Sequence, residues 1–378
     1  VHAPIRLTSI FRLQLPTAIF TAIAVSTIVF TATPFLVPAV ADHLGVSVGL
    51  AGLMSTFQLA GFVVATWVAG RVLRPRRRVL VAASLGGAAS NFVAAVSPWF
   101  TVLASTRVVN GAALGLLAWL AWSEVFGDDD RVGDVAVIGP LVGTVAAPLI
   151  AAVLDLTSAA LLWVTLGALQ LVPLVSAREM RLDAATRPRQ PRHRPTRGAV
   201  VVLACLGLLT FGGSAVFIFA AAIGRDEVGL APVAVSLAFA ANAVAGVPSA
   251  RRRGERSWTG GWMAATGVAA ILVGSVHAPV VFYAAMVLWG FAFWMGVPGA
   301  FALLAKRSRY ADERAGDAQA VMAVGRVAGP LAGGLLYDRA SPTVLGLAGG
   351  TVMIAASAAL VYLEWRVRPG RPAVALER

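Results

Sequence analysis

The chain is built from long apolar runs separated by short polar clusters rich in arginine, proline and glycine. A bilayer core about 30 Å thick is crossed by about 20 apolar residues in a helix. Runs of that length predict twelve spans: 14–40, 49–70, 79–97, 99–122, 135–154, 157–177, 199–223, 229–249, 259–277, 279–304, 318–337 and 343–363. The eighth is the weakest, being short and carrying Asn242. The first exceeds the apolar core of a secretory signal and is followed by further spans, so it reads as uncleaved.

Arginine placement tests that count. With the N-terminus in the cytoplasm, 27 of the 31 basic residues fall in cytoplasmic segments. Only Arg225 and Arg339 fall in outside loops, and Arg107 and Arg326 fall within spans. This is the positive-inside pattern of a multi-pass membrane protein. It places both termini in the cytoplasm and the chain in the cell's inner (plasma) membrane. All 18 acidic residues lie in loops or near span ends. A charge at the bilayer centre is costly and usually functional, so the missing mid-span carboxylate is informative.

Composition agrees. Hydrophobic residues make up 58% and charged residues 13% of the 378, with a mean hydropathy of +0.79. One soluble core does not keep growing past about 250–300 residues, and disorder requires far more charge. The net charge of +13 is explained by topology and implies no nucleic-acid partner. A single cysteine, Cys205, excludes an intramolecular disulfide. The histidines, His2, His43, His193 and His277, lack metal-ligand spacing, so no metal is expected. No phosphate-binding Gly-Lys-Ser/Thr loop is present, so no nucleotide or other cofactor is expected.

The two halves of the chain resemble each other. Asp130-Arg131-Val132-Gly133-Asp134 opens span 5, and Glu313-Arg314-Ala315-Gly316-Asp317 opens span 11. Gly143, Ala147-Pro148 and Ala151-Ala152 match Gly325, Gly329-Pro330 and Gly333-Gly334, and Asp155 matches Asp338. Ala69-Gly70 before an arginine run matches Ala245-Gly246 before Arg251. The repeat predicts an N-terminal six-helix bundle over 1–177 and a C-terminal bundle with a short tail over 199–378. Between them, 178–198 reads as a cytoplasmic linker with seven arginines. Such repeats are the sequence sign of a rocking transporter with its site at mid-membrane.

Three motifs make the chain resemble the major facilitator superfamily, in particular its bacterial drug/proton antiporters. The family's loop after span 2, Gly-x-x-x-Asp-Arg-x-Gly-Arg-Arg/Lys, appears from Gly70 to Arg78 with Arg74 for the aspartate and Arg77 for the second glycine. The span 4 motif Arg-x-x-Gln-Gly-x-x-x-Gly appears as Arg107, Asn110, Gly111 and Gly115. The antiporter motif Gly-Pro-x-x-Gly-Gly appears in span 5 with alanines around Pro148, and intact in span 11. The resemblance implies an all-α fold of twelve membrane helices in two six-helix repeats.

It also implies roles. Arg107 would act in proton handling or substrate-linked gating, through a neighbouring acid, a water or an anionic substrate group; the alternative is a structural arginine on helix carbonyls. Arg326 would pair with Asp317 or Asp134, reach the cytoplasm, or touch substrate. Glu124, Asp134, Asp317, Asp155 and Asp338 are candidate proton carriers, although Asp134 and Asp317 also read as helix N-terminal caps. Small residues four apart let helices approach closely: Gly111/Gly115, Gly143/Ala147 and Gly325/Gly329/Gly333. With the prolines Pro148 and Pro330, they read as packing or gating positions.

By the resemblance, spans 1, 4, 7 and 10 line the cavity with Phe30, Phe35, Trp119, Trp122, Phe211, Phe217, Trp289, Phe293 and Trp294. The alternative places aromatics at the lipid interface. An aromatic wall with few polar groups suits lipophilic or amphipathic solutes better than sugars. The sequence thus reads as a monomeric, non-enzymatic secondary transporter exporting such compounds against protons. An importer or carrier of an organic anion using Arg107 and Arg326, and a non-transporting receptor or scaffold, are the alternatives.

Overall fold

The computed structural model describes residues 16–125, 129–179, 193–252 and 256–367, and every regular element among them is a helix. The spans of the first set are Thr17–Leu44, Val48–Val72, Arg77–Ala95, Phe100–Val125, Asp129–Leu156 and Ala159–Gln170 (spans 1 to 6). Span 7 comes in two pieces, Arg197–Phe217 and Ala220–Asp226. Spans 8 to 12 are Pro232–Ala250, Thr259–Ser275, Pro279–Lys306, Ala311–Arg339 and Pro342–Val367. Ten helices among the described residues are long and apolar enough to cross a membrane, and the stretches Ala159–Leu174 and Thr259–Ser275 are the two shorter apolar ones.

All twelve expected spans are present, but the short ones are spans 6 and 9. Span 8 is a regular helix of 19 residues. Span 6 ends early because Pro173 has no N–H to continue the helix, and Val172–Leu174 continues as a 3₁₀ turn. The tighter turn rises about 2.0 Å per residue, which lengthens the crossing.

Turns of two to five residues join spans 1–2, 3–4, 5–6, 7–8, 9–10 and 11–12 at one end of the bundle, here called the far face. The arginine clusters gather at the opposite end, the basic face. Local sequence sets the far turns. Gly45 ends span 1 in the left-handed region at φ 62° and ψ 33°, where a Cβ is disfavoured. Ser47 and Ser158 start spans 2 and 6 by accepting the N–H of Leu50 and Leu161.

Spans 1 to 6 pack on one another, with span 2 on 4, 3 on 4 and 6, and 1 on 5. Spans 7 to 12 do likewise, with 9 on 12 and 10, 7 on 11, and 8 on 10. Two broad seams join these sets, span 2 on 11 and span 5 on 8. The internal repeat is visible in one contact. A Cβ on Gly111 would lie 1.8 Å from the carbonyl oxygen of Gln58, and one on Gly290 would lie 1.9 Å from that of Asn242. Spans 2 and 4 therefore meet as spans 8 and 10 do, backbone on backbone at glycine.

The sequence expectation for Asp317 is corrected here. Span 11 begins at Ala311, so Asp317 lies past the first turn and does not cap the helix. It pairs instead with Arg314 at 2.8 Å, one turn earlier. The helix runs ahead of its apolar stretch because Ala311, Glu313, Arg314 and Ala315 are good helix formers. Span 5 likewise begins at Asp129, five residues before Asp134, whose side chain lies outside the described residues. Of the linker, 180–192 lies outside them too. Its described end docks on span 11: His193 stacks on Tyr310 at 3.8 Å, and its carbonyl accepts from Arg314 Nη2 at 2.7 Å.

Candidate functional site

Span 4 places Arg107 and Asn110 on one side of a helix, three residues apart. Arg107 is 1% exposed. Its Nη2 donates to Asn91 Oδ1 at 2.8 Å, and its guanidinium lies 4.1 Å over the Trp163 ring. Asn91 Nδ2 donates to Gln170 Oε1 at 3.0 Å, and Asn110 Nδ2 reaches the same oxygen at 3.2 Å. Gln58 Nε2 donates to Asn110 Oδ1 at 3.0 Å, and Thr33 Oγ1 donates to Gln58 Oε1 at 3.2 Å. Spans 1, 2, 3, 4 and 6 are thereby tied in one uncharged layer around a single cation. Thr33, Gln58, Asn110 and Gln170 lie ten or eleven residues from the far face, roughly 15 Å at 1.5 Å per residue.

Arg107 has no carboxylate partner among the described residues. A buried arginine can be held without one: a hydrogen bond to a charged group contributes about 1.5–3 kcal/mol, and a desolvated cation–π contact about 2 kcal/mol. Asn110 is the hub: Asn110→Leu would strand the Gln58 amide N–H and leave Gln170 Oε1 with Asn91 as its one remaining donor. An unsatisfied buried group costs about 1–3 kcal/mol. Thermal unfolding in detergent is expected to show a lowered midpoint for Asn110→Leu. An unchanged midpoint would remove the layer from the account of stability.

A second feature lies where the two sets meet. Phe35 of span 1 touches Phe239 of span 8 with ring centroids 4.9 Å apart. Phe239 touches Phe217 of span 7 at 5.2 Å, and Phe217 touches Trp289 of span 10 at 5.4 Å. Closer to the far face, Asp338 of span 11 accepts from the Gly49 N–H at 2.8 Å and from the Ser47 hydroxyl, so it caps span 2 from the other set. Arg225 bridges to Asp42 at 2.6 Å. Gly49 and Gly334 bring the backbones together: a Cβ on Gly334 would lie 2.6 Å from the Gly49 oxygen. The seam is shut by aromatics at mid-depth and latched at the far face. At the basic face, a Cβ on Gly70 would meet only Trp119 Nε1 at 3.9 Å, within its own set, and one on Gly139 would meet nothing.

The other sequence-derived residues divide on geometry. Phe217 and Trp289 stand in the seam. Trp294 does not: it lies against Gly246, whose Cβ would sit 2.6 Å from its Cδ1, inside the second set. Trp119 covers Gly70 near the basic face, and Trp122 is exposed. Phe30 meets Phe62 edge-on at 5.6 Å within the first set. Gly111 and Gly115 face span 2 at the carbonyls of Gln58 and Phe62, and Gly143 faces Ala243 across the seam. Gly325, Gly329 and Gly333 face the carbonyls of Gly207, Phe211 and Ala215 on span 7, so that stripe packs within its own set, while Gly334 touches the other. Pro148 and Pro330 lie inside spans 5 and 11. Glu124 is half-buried at the basic end of span 4.

Arg326 sits at the middle of the Arg314–Arg339 stretch and is half-buried. Among the described residues it has no hydrogen bond and no ion pair. The expected pairing with Asp317 does not form: that carboxylate is engaged by Arg314 and stands nine residues away, about 13 Å along the helix.

The sequence profile of the Major Facilitator Superfamily matches residues 18–325. The chain belongs to the major facilitator superfamily. It is a multi-pass membrane transporter of small molecules. Over 358 residues it is 29% identical to a chloramphenicol efflux pump of Mycobacterium tuberculosis (strain CDC 1551 / Oshkosh), an alignment covering 84% of each chain. The chloramphenicol efflux pump of strain H37Rv matches equally, at 29% over 84% of each chain. In fold the chain is similar to the nucleoside transporter NupG (D323A mutant), with a TM-score of 0.71 at 12% identity, covering 92% of this chain and 98% of that one. It is also similar to the human organic anion transporter MFSD10 (TETRAN), with a TM-score of 0.66 at 18% identity over 91% and 98%. A bacterial homologue of the human lysosomal transporter Spinster, solved inward-facing and unoccupied, gives a TM-score of 0.65 at 13% identity over 92% and 94%. At these identities the structural likeness concerns the fold alone.

Proposed function

We propose that this transporter exports small lipophilic or amphipathic compounds by alternating access, driven by proton entry. The observation that carries the reading is the aromatic seam of Phe35, Phe239, Phe217 and Trp289, an apolar wall shared by both sets of spans. Such a wall binds by burial and stacking, and the curated relatives that the chain resembles are efflux pumps. Residues 1–177 and 199–378 act as two rocking bundles joined by the linker 178–198. The basic face and both termini lie in the cytoplasm, by the arginine bias, and the protein works as a monomer in the inner (plasma) membrane.

The conformation described is then the one closed to the outside. Compound enters from the cytoplasm, the basic ends of the bundles close over it, and the Asp338–Ser47 and Arg225–Asp42 links part. Gly139, which faces open space now, and Gly70, covered only by Trp119 of its own set, lie where the bundles would meet. Protons would be carried near the span ends, where Glu124, Asp134 and Asp317 lie. Arg107 positions Asn110 and the mid-depth layer. Cells expressing the protein are expected to show lower susceptibility to lipophilic compounds across a broad panel. An unchanged profile with the protein present in the membrane would contradict export.

A further inference from the structure

We propose that Arg326 is the docking point for a negatively charged group on the transported compound, so that the preferred substrates are amphipathic organic anions. This rests on the export reading, since it uses the same seam. The chain has two mid-span cations, and only one is available. Arg107 is closed in by Asn91 and Trp163 at 1% exposure. Arg326 has no hydrogen bond or ion pair among the described residues and is only half-buried. The sequence holds no carboxylate in the middle of any span to neutralise it. An unpaired charge at mid-membrane faces a bundle interior or a water-filled path, and is retained where a partner comes and goes.

Its direction follows from its neighbours on span 11. Gly325, Gly329 and Gly333 face span 7, while Gly334 and Asp338 face span 2 of the other set. Position 326 lies one and two turns below Pro330 and Gly334 on the second of these stripes and borders the first. The guanidinium is thus placed at the seam between the sets. At that level Gly325 lies against Thr210 and Phe211 of span 7. Phe217, whose ring lies against Trp289 at 5.4 Å, is six residues further toward the far face, about 9 Å along the helix. An anionic head on Arg326 would leave an aromatic body of about two rings lying along span 7 to reach Phe217 and Trp289. The arginines of the basic face attract anions to the entrance.

The test uses the purified full-length protein in lipid nanodiscs at pH 7.4, with two probes of the same shape, 2-naphthoate and its neutral amide. The expected result is naphthoate binding at least tenfold tighter than the amide in wild type. That preference is lost in Arg326→Gln and Arg326→Met and largely kept in Arg326→Lys, while the amide's affinity stays within twofold throughout. Two neutral replacements are used so that the failure of one to fold does not decide the matter; removing an unpaired charge should raise thermal stability. Equal binding of the two probes by wild type, or a preference that survives in the neutral variants, overturns the proposal. Efflux of the same probes from proteoliposomes separates it from the export reading. Amide exported without any role for Arg326 leaves export standing and removes the anion site. Naphthoate held by Arg326 but never moved leaves the site and removes export. No binding of either probe removes both.

Discussion

Gly334→Leu is expected to hold the far face open and to cut transport at least tenfold, with the protein still folded. A Cβ there would lie 2.6 Å from the Gly49 oxygen and 3.2 Å from the Gly49 Cα. Backbone atoms of a helix cannot yield singly, so the relief available is separation of spans 2 and 11. That movement also breaks the cap that Asp338 places on the Gly49 N–H. Gly143→Ala is the control across the other seam: its Cβ would meet Ala243 Cβ at 3.6 Å, an ordinary contact, and transport should stay within twofold. Spin labels at His43→Cys and Ala340→Cys, in a Cys205→Ser background, measure the opening. The distance is expected to lengthen in Gly334→Leu alone. Wild-type distance and wild-type transport together would show that this contact plays no part in the cycle.

Gly111→Leu is expected to abolish folding, and Gly290→Leu to do the same. Overpacking a core typically costs about 1–3 kcal/mol where side chains can shift. Here nothing can shift, because the added atom would stand 1.8 Å from the Gln58 carbonyl oxygen, or 1.9 Å from that of Asn242. Gly86→Leu, where a Cβ meets nothing within 4 Å, is the comparison. Recovery of monodisperse protein in detergent reads all three. Gly111 and Gly290 are the same position of the internal repeat, so the two variants should fail alike. Normal recovery of either would mean that spans 2 and 4, or 8 and 10, do not meet as described.

Much of the fold was legible because a bilayer imposes a coarse rule. Twelve apolar runs and a one-sided arginine distribution require no knowledge of which helix touches which. The repeat was legible for a related reason: Gly325-Arg326-Val327-Ala328-Gly329-Pro330 preserves the small residues that close packing demands. The length rule counted span 6 at 157–177 but did not show that its α-helix stops at Gln170 and continues as a 3₁₀ turn over Val172–Leu174.

The site was less legible, since it depends on helix rotation. Arg107 and Arg326 look alike as isolated mid-span cations. They differ because Asn91 of span 3 and Trp163 of span 6 close in on Arg107, whereas no hydrogen bond or ion pair among the described residues engages Arg326. Gln170 carries no mark in the sequence, lying near the polar end of an apolar run, yet it accepts two hydrogen bonds in the layer. Trp294 belongs to a cavity-lining span by resemblance, but Gly246 opens a slot that turns it into its own bundle. The latch at Ser47, Gly49 and Asp338 was half visible, as the pairing of Asp155 with Asp338 in the repeat. Its asymmetry lies in the cap: span 8 follows Ala231, which has no hydroxyl to offer a carboxylate where span 2 has Ser47.

Reconstitution in inside-out vesicles with an imposed pH gradient tests proton-driven export most directly. With the lumen acidic, lipophilic and amphipathic compounds from a broad panel are expected to accumulate inside, and a protonophore is expected to abolish the accumulation. A panel in which no compound moves, and none protects the protein against thermal unfolding, would contradict it.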